Sequence, residues 1–325
     1  MSVIPDALFH RGGVPVDSLS GWDAGNVYWV IDSDHTQYAK FIRDRQGAYE
    51  NDKSEIVHST IQSALNATVT NRNDYVIVVP VAPGSTYYYD LTAALTMTKN
   101  NVHLISPSNF GSNGFGVKSP IINTLGQTVA VITLTGDGCE IAGLFFRGAQ
   151  GYDIIDVESG TQGLNVHDNF FGMSATGSSA NYGIDASVLY YFNISNNYFT
   201  NWNPGAISST DNDIPAFIYI SSNASCRGVI KGNYLSTGHN TAVAIGIDVE
   251  GTDVLIADNI LWETTALAAS EAGTFTIGIN AGAQPTGLIT GNRIGITDTS
   301  NAITGSTAVN CINNYSSLEG GTIVS

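Results

Sequence analysis

Val166-His-Asp-Asn169-Phe-Phe171, Ile194-Ser-Asn-Asn197-Tyr-Phe199 and Ile230-Lys-Gly-Asn233-Tyr-Leu235 are copies of one pattern. It reads apolar, any residue, a small turn former (Gly, Asn or Asp), Asn, then two apolar or aromatic residues. Further copies are Ile256-Ala-Asp-Asn259-Ile-Leu261, Ile289-Thr-Gly-Asn292-Arg-Ile294 and the degenerate Cys311-Ile-Asn-Asn314-Tyr-Ser316. An earlier one, Ile141-Ala-Gly-Leu144-Phe-Phe146, carries Leu in place of Asn. From Ile141 onward the copies start 25, 28, 36, 26, 33 and 22 residues apart. Internal repetition at this period signals a solenoid.

A second apolar-polar-apolar triplet precedes each of the first six copies: Ile132–Leu134, Ile155–Val157, Ile184–Ala186, Ile218–Ile220, Ile247–Val249 and Ile279–Ala281. Alternation with period two marks strands with one buried face. Turn residues such as Glu158-Ser-Gly160 separate the two strands. Each unit therefore reads strand, turn, strand, Asn corner, third strand, loop. A unit this small cannot bury its apolar face alone, and stacking copies along one axis solves that problem. The expected fold is all-β, a right-handed parallel β-helix of about nine coils, on the order of 40 Å long at the usual strand spacing. Helical solenoids are excluded because the helical period is confined to 54–66, where Ser54 is the expected cap and Ile56, Ile61, Ala64 and Leu65 form one stripe. That helix is expected to cap the N-terminal end. The chain divides into 1–53 (lead-in strand Val27–Ile31 and a polar loop or short helix), the β-helix over 54–316, and a tail over 317–325. The repeated Asn169, Asn197, Asn233, Asn259, Asn292 and Asn314 are expected to take the left-handed corner conformation and to hydrogen-bond along the axis.

Of 325 residues only 12% are charged, and the net charge is −16. With 12 Lys and Arg in all, the footprint of a nucleic-acid binder is missing. Cys139, Cys226 and Cys311 form neither a disulfide framework nor a metal pattern, and Cys311 falls on a core position. No metal site and no cofactor are expected. No apolar run is long enough to span a membrane. The start, MSVIPDALFHRGG, lacks a charged segment followed by an apolar run, so synthesis in a cytoplasm without a signal peptide is expected.

The run Val27-Tyr-Trp-Val-Ile-Asp32, then His58-Ser-Thr-Ile-Gln-Ser-Ala-Leu65, then Tyr75–Pro80 and Tyr89-Asp-Leu-Thr, resembles the opening of the pectate-lyase-like β-helix superfamily. The Asn-corner repeat over 141–316 resembles the same group, whose members include lyases, hydrolases, adhesins and phage virion proteins. Low charge, richness in Asn, Thr and Ser, and a start at Met1 resemble tailspikes, fibres and capsid decorations of tailed bacteriophages. That resemblance implies a structural, homotrimeric virion protein, attached to other virion proteins through its N-terminal segment and contacting host surface polysaccharide.

The enzyme signatures of the superfamily are missing. There is no Asn-Thr-Asp, Asp-Asp, Gly-His-Gly and Arg-Ile-Lys set, and the solenoid's few bases (Arg147, Arg227, Lys231, Arg293) disfavour β-elimination. Ile31-Asp-Ser-Asp-His35 lies ahead of the expected solenoid. The outward residues of the first strands should form a row, Thr133, Asp156, Asp185, Tyr219, Asp248 and Asn280. Carboxylates one strand apart fit a retaining glycosidase, making Asp156, Asp185 and Asp248 the candidate acids, with Glu158 and Glu250 on the same face. The alternative is a solvated acidic stripe. Trp202, Trp262 and Tyr219 are candidate glycan contacts, with Tyr87–Tyr89 and Tyr190–Tyr191 as further aromatic clusters. Tyr219, Tyr234 and Ile260 are candidate subunit contacts. His167 has no ligand-spaced partner in the sequence and reads as a solvated histidine. Three readings follow: a structural virion protein, a polysaccharide-degrading glycosidase (rather than a lyase), and an adhesin without turnover.

Overall fold

The computed structural model describes residues 25–33, 35, 38–45, 56–80, 89–106, 120–124, 127–148, 151–173, 182–186, 188–201, 214–221, 226–237, 242–263, 273–282, 286–305, 310–315 and 322–323. Among the described residues the chain winds into a right-handed parallel β-helix with three long sheets and a two-stranded one, Thr161–Gln162 with Leu189–Tyr190. Sheet C holds the first strand of each coil, from Leu95–Met97 to Ile303–Gly305, in eight strands. Sheet A holds the second, and sheet B the third, which follows the Asn corner. Eleven and ten strands make up sheets A and B. Every copy of the sequence repeat pairs in register with the next, Val166 with Ile194, Ile194 with Ile230 and Ile230 with Ile256. At about 4.8 Å per strand the eleven strands of sheet A span roughly 48 Å.

The interior is built from rows of like residues. Phe146, Phe171 and Phe199 stack at 5.3 and 4.3 Å between centroids, and Leu235, Leu261 and Ile294 continue their row. All six are fully buried in one core that runs the length of the molecule.

Strand β1 (Val27–Val30) lies inside sheet A, paired with β2 (Val57–His58) on one side and β3 (Asp74–Val78) on the other. The solenoid therefore begins upstream of residue 54, and Ile31-Asp32 leaves a strand of the solenoid rather than preceding it. Helix α1 (Tyr38–Arg45) sets Tyr38 and Ile42 against an apolar patch of Trp29, Ile31, Ile56, Val57 and Ile77, separate from the main core. The capping helix α2 runs Ile61–Ala67, not 54–66. Val57 and His58 pair with β1, the Ile56 carbonyl accepts the Trp29 N–H, and Ser54 lies outside the described residues. The cap is Thr60, whose hydroxyl accepts the Ser63 N–H at 3.2 Å. Ile61, Ala64 and Leu65 cover the end of the core. At the other end of α2 the Lys99 ammonium donates to the carbonyls of Asn66 (2.6 Å) and Thr68, a cation on the negative helix terminus.

The corner asparagines form an unbroken ladder. Asn169, Asn197, Asn233, Asn259, Asn292 and Asn314 are at most 1% exposed. Each Nδ2 donates to the Oδ1 of the next, at 3.1, 3.0, 3.0, 2.9 and 2.9 Å. The same Oδ1 accepts the backbone N–H of the preceding rung, as Asn233 Oδ1 does from Asn197 at 3.0 Å. The second Nδ2 hydrogen goes back one coil to a strand carbonyl, from Asn233 to Ile194 at 2.9 Å. The ladder starts where Asn169 Oδ1 takes the N–H of Leu144, so Leu144 needs no amide of its own. The corner asparagines are not themselves the left-handed residues. The left-handed residue is the one before each Asn: Asp168, Asn196, Gly232, Asp258, Gly291 and Asn313 have φ between 55 and 68°. The turn former makes the corner, and the Asn is kept for its amide.

Cys311 is half-buried rather than buried, because sheet A ends with its strand, Asn310–Ile312. In sheet B the strand Asn314–Tyr315 is followed by an antiparallel one, Thr322–Ile323, with Asn314 facing Ile323.

Replacing Asn233 by Leu would orphan the Asn197 backbone N–H and one Asn197 Nδ2–H. At about 1–3 kcal/mol per buried unpaired group, a loss of roughly 3 kcal/mol or more is expected in chemical denaturation. A change under about 1 kcal/mol would contradict the ladder's role.

Candidate functional site

The outward row of sheet C forms as read from sequence. Thr133, Asp156, Asp185, Tyr219, Asp248, Asn280 and Thr304 pair in register across successive strands. Asp156 and Asp185 are direct neighbours, about one strand spacing of 4.8 Å apart. Both are half-buried. Burial raises the Asp185 carboxyl to about 6, with the charge of Asp156 adding to it. Asp156 is itself raised, first by burial and then by Glu158. Asp185 is thus the member that holds a proton in mildly acidic solution, beside a carboxylate that ionises first. Asp248 is also raised by burial, with Glu250 contributing, but it accepts a 2.8 Å hydrogen bond from Asn280 Nδ2, and Asn280 Oδ1 accepts from Thr304. Tyr219 separates Asp248 from the dyad in this row.

Tyr219 stacks on Tyr182 at 4.7 Å with 17° between the planes, so one face of each ring is covered. Burial pushes the Tyr182 hydroxyl up to about 12. Trp262 stands on the outer face of sheet B, 39% exposed. Trp202, Tyr87 and Tyr88 lie outside the described residues. Tyr234 and Ile260 adjoin in the outer row of sheet B, where Phe170, Tyr198 and Tyr234 stack 5.0 and 4.9 Å apart and Phe145 meets Phe170 edge-on at 4.4 Å. Tyr219 is on sheet C, so the three expected subunit contacts do not share a face.

His167 is not a solvated histidine. Its Nε2 lies 2.7 Å from Glu140 Oε1 and its Nδ1 lies 2.9 Å from Asp168 Oδ2. Carboxylates only accept, so both ring nitrogens carry protons and His167 is an imidazolium. Glu140 Oε2 takes a second bond, 2.7 Å, from His103 Nδ1, and Tyr75 stacks on the His103 ring at 4.4 Å. The cluster ties four successive strands of sheet A on their outer face. Hydrogen bonds to Asp168 and to Glu140 raise His167 to about 9. Burial alone would raise Glu140, but the two histidines outweigh it and hold it at about 2. Sequence spacing gave no sign of these partners, which stand 27 and 37 residues apart and meet only through the coil register.

Among the described residues, no group of three or more His, Cys, Asp or Glu side chains is arranged to hold a metal ion. No helix among them is long and apolar enough to cross a membrane. Cys139 and Cys226 are buried, and burial raises the Cys139 thiol to about 11, which keeps it unreactive.

No family model and no curated protein matches the chain. Among solved structures, it is similar to pectin methylesterase in complex with hexasaccharide VII, at 11% identity and a TM-score of 0.41, over 93% of this chain and 92% of that one. An aspartate-to-alanine mutant of pectin methylesterase in complex with hexasaccharide IV gives 11% identity and 0.39 over the same shares. The architecture described above rests on the strand pairing itself.

The His–carboxylate cluster sets a pH window. Glu140, depressed to about 2, contributes fully above its unfolded value near 4.5 and loses that contribution as pH falls toward 2. His167, raised to about 9, contributes fully below its unfolded value near 6.5 and loses it as pH rises through 9. The difference in stability between wild type and His167→Gln should therefore be largest at about pH 4.5–6.5 and shrink toward pH 9. Melting curves across that range check this, and a flat difference would contradict it.

Proposed function

We propose that the chain is a structural shaft protein of a tailed-bacteriophage virion, a tailspike, fibre or capsid decoration, whose lateral surface contacts host glycans. The observation that carries this reading is the buried amide ladder. It bonds each coil to the next along the long axis, giving a rod that transmits force without relying on side-chain packing alone. A low charge content and many small polar residues suit a surface exposed outside a cell. The protein acts as a homotrimer held to other virion proteins through its N-terminal segment. The half-buried Tyr198, Tyr234 and Ile260 of the outer row of sheet B supply the subunit contact, beyond Phe170, which is already covered within the chain. Peptides of this chain should be found by mass spectrometry in purified virions. Light scattering should give three times the 34.3 kDa of one chain. A monomer in solution removes the trimer, and absence from virions removes the shaft reading.

A second reading, a retaining glycosidase, is favoured by the Asp156–Asp185 pair. Carboxyl groups about 5–5.5 Å apart suit attack by one on the sugar carbon while the other protonates the leaving oxygen. Asp185 is the acid and Asp156 the nucleophile. If the protein releases reducing ends from a host polysaccharide, Asp185→Asn should lower the rate by about 100-fold or more. Activity should also fall as pH rises above about 6, where Asp185 loses its proton. Saccharide binding with no product at any pH assigns the face to adhesion instead.

A further inference from the structure

The corner between sheets C and A uses one backbone device in coil after coil. A left-handed residue donates its N–H to the carbonyl just ahead of the next coil's left-handed residue: Asn101 to Asp137, Gly138 to Gln162, Gly163 to Tyr190, Tyr191 to Cys226 and Arg227 to Thr252. Glycine meets this conformation freely and Asn or Asp tolerates it, whereas larger side chains clash with the following carbonyl. Of the ten described non-glycine residues with positive φ, eight are Asn or Asp. The other two are Tyr191 (φ 54°) and Arg227 (φ 48°), on adjacent coils of this column. Gly, Asn or Asp serves the fold at the neighbouring levels (Asn101, Gly138, Gly163 and Asp253), so these two side chains stand against the backbone's preference.

Both point to solvent. Tyr191 is 56% exposed, and Arg227 is exposed beside it, with its Nη1 3.5 Å from the Tyr191 hydroxyl. Among the described residues the Arg227 guanidinium has no carboxylate partner, although the chain carries a net charge of −16 and Arg72 and Lys231 are each paired with an Asp. The carboxylate of Asp253, on the next coil, accepts the Thr286 hydroxyl at 2.8 Å.

We propose that Tyr191 and Arg227 form a binding site for an acidic oligosaccharide, an inference that rests on the glycan contact proposed above. The guanidinium forks onto a sugar carboxylate, and the open tyrosine ring lies against the C–H face of the same or the adjacent sugar. A bare anion would need no exposed ring, and a neutral sugar would need no cation.

Calorimetric titration of the full chain with short oligogalacturonates, and with neutral galactose oligomers of equal length, tests the site. The uronates should bind the wild type and the neutral oligomers at least about tenfold more weakly, since a charge-assisted pair is lost. Arg227→Gly and Tyr191→Gly should each weaken uronate binding about tenfold or more while leaving the melting temperature unchanged or raised, because glycine relieves the left-handed strain. Unchanged uronate affinity in Arg227→Gly, or equal binding of neutral oligomers, overturns the proposal. Binding lost in Asp156→Asn/Asp185→Asn but kept in Arg227→Gly moves the ligand to sheet C and leaves the glycan reading standing. No binding of any saccharide overturns both.

Discussion

A primary amide enclosed in an apolar core must satisfy two N–H groups and an oxygen with two lone pairs, or it destabilises the fold by more than it contributes. From Asn197 to Asn292 the corner amides meet that demand completely, each by the same four bonds to its neighbours. The demand cannot be met by one coil alone, so each coil fixes the height and rotation of the next. The strand register, the stacked aromatic interior and the regular outer rows all depend on that alignment. Where the row begins, at Leu144, the position is apolar and its N–H is served from the coil above.

The interior was legible because it obeys short-range rules. Alternation with period two located the strands, and the recurrence of Asn located one corner per coil. Less legible was the division of labour at that corner, because Asn is a good candidate for both left-handed backbone and buried amide, and only φ values separate Asp168 from Asn169. The start of α2 is not legible in the sequence, because Ile56 fits a helical stripe as well as an extended segment and only the pairing of Val57 with Trp29 separates the two.

The outer surface followed a different logic. The sheet C row could be read because its residues occupy the middle position of triplets whose ends are apolar. The cluster of Tyr75, His103, Glu140, His167 and Asp168 could not, since intervening loops of unequal length hide which residues share a level. Tyr191 and Arg227 look ordinary in sequence, and their backbone angles are what set them apart. A repeat of this kind therefore reports its core through what recurs and its chemistry through what breaks the recurrence.

The antiparallel pairing of Thr322–Ile323 on Asn314–Tyr315 has a bearing on assembly. A parallel solenoid ends in bare strand edges that match the next coil of any copy of itself, and head-to-tail contacts of that kind propagate into filaments. A strand of reversed polarity occupies the hydrogen-bonding edge of sheet B and offers the wrong spacing for a parallel newcomer. At this end of sheet B the parallel stacking therefore gives way to one antiparallel rung, while sheets A and C end on parallel strands.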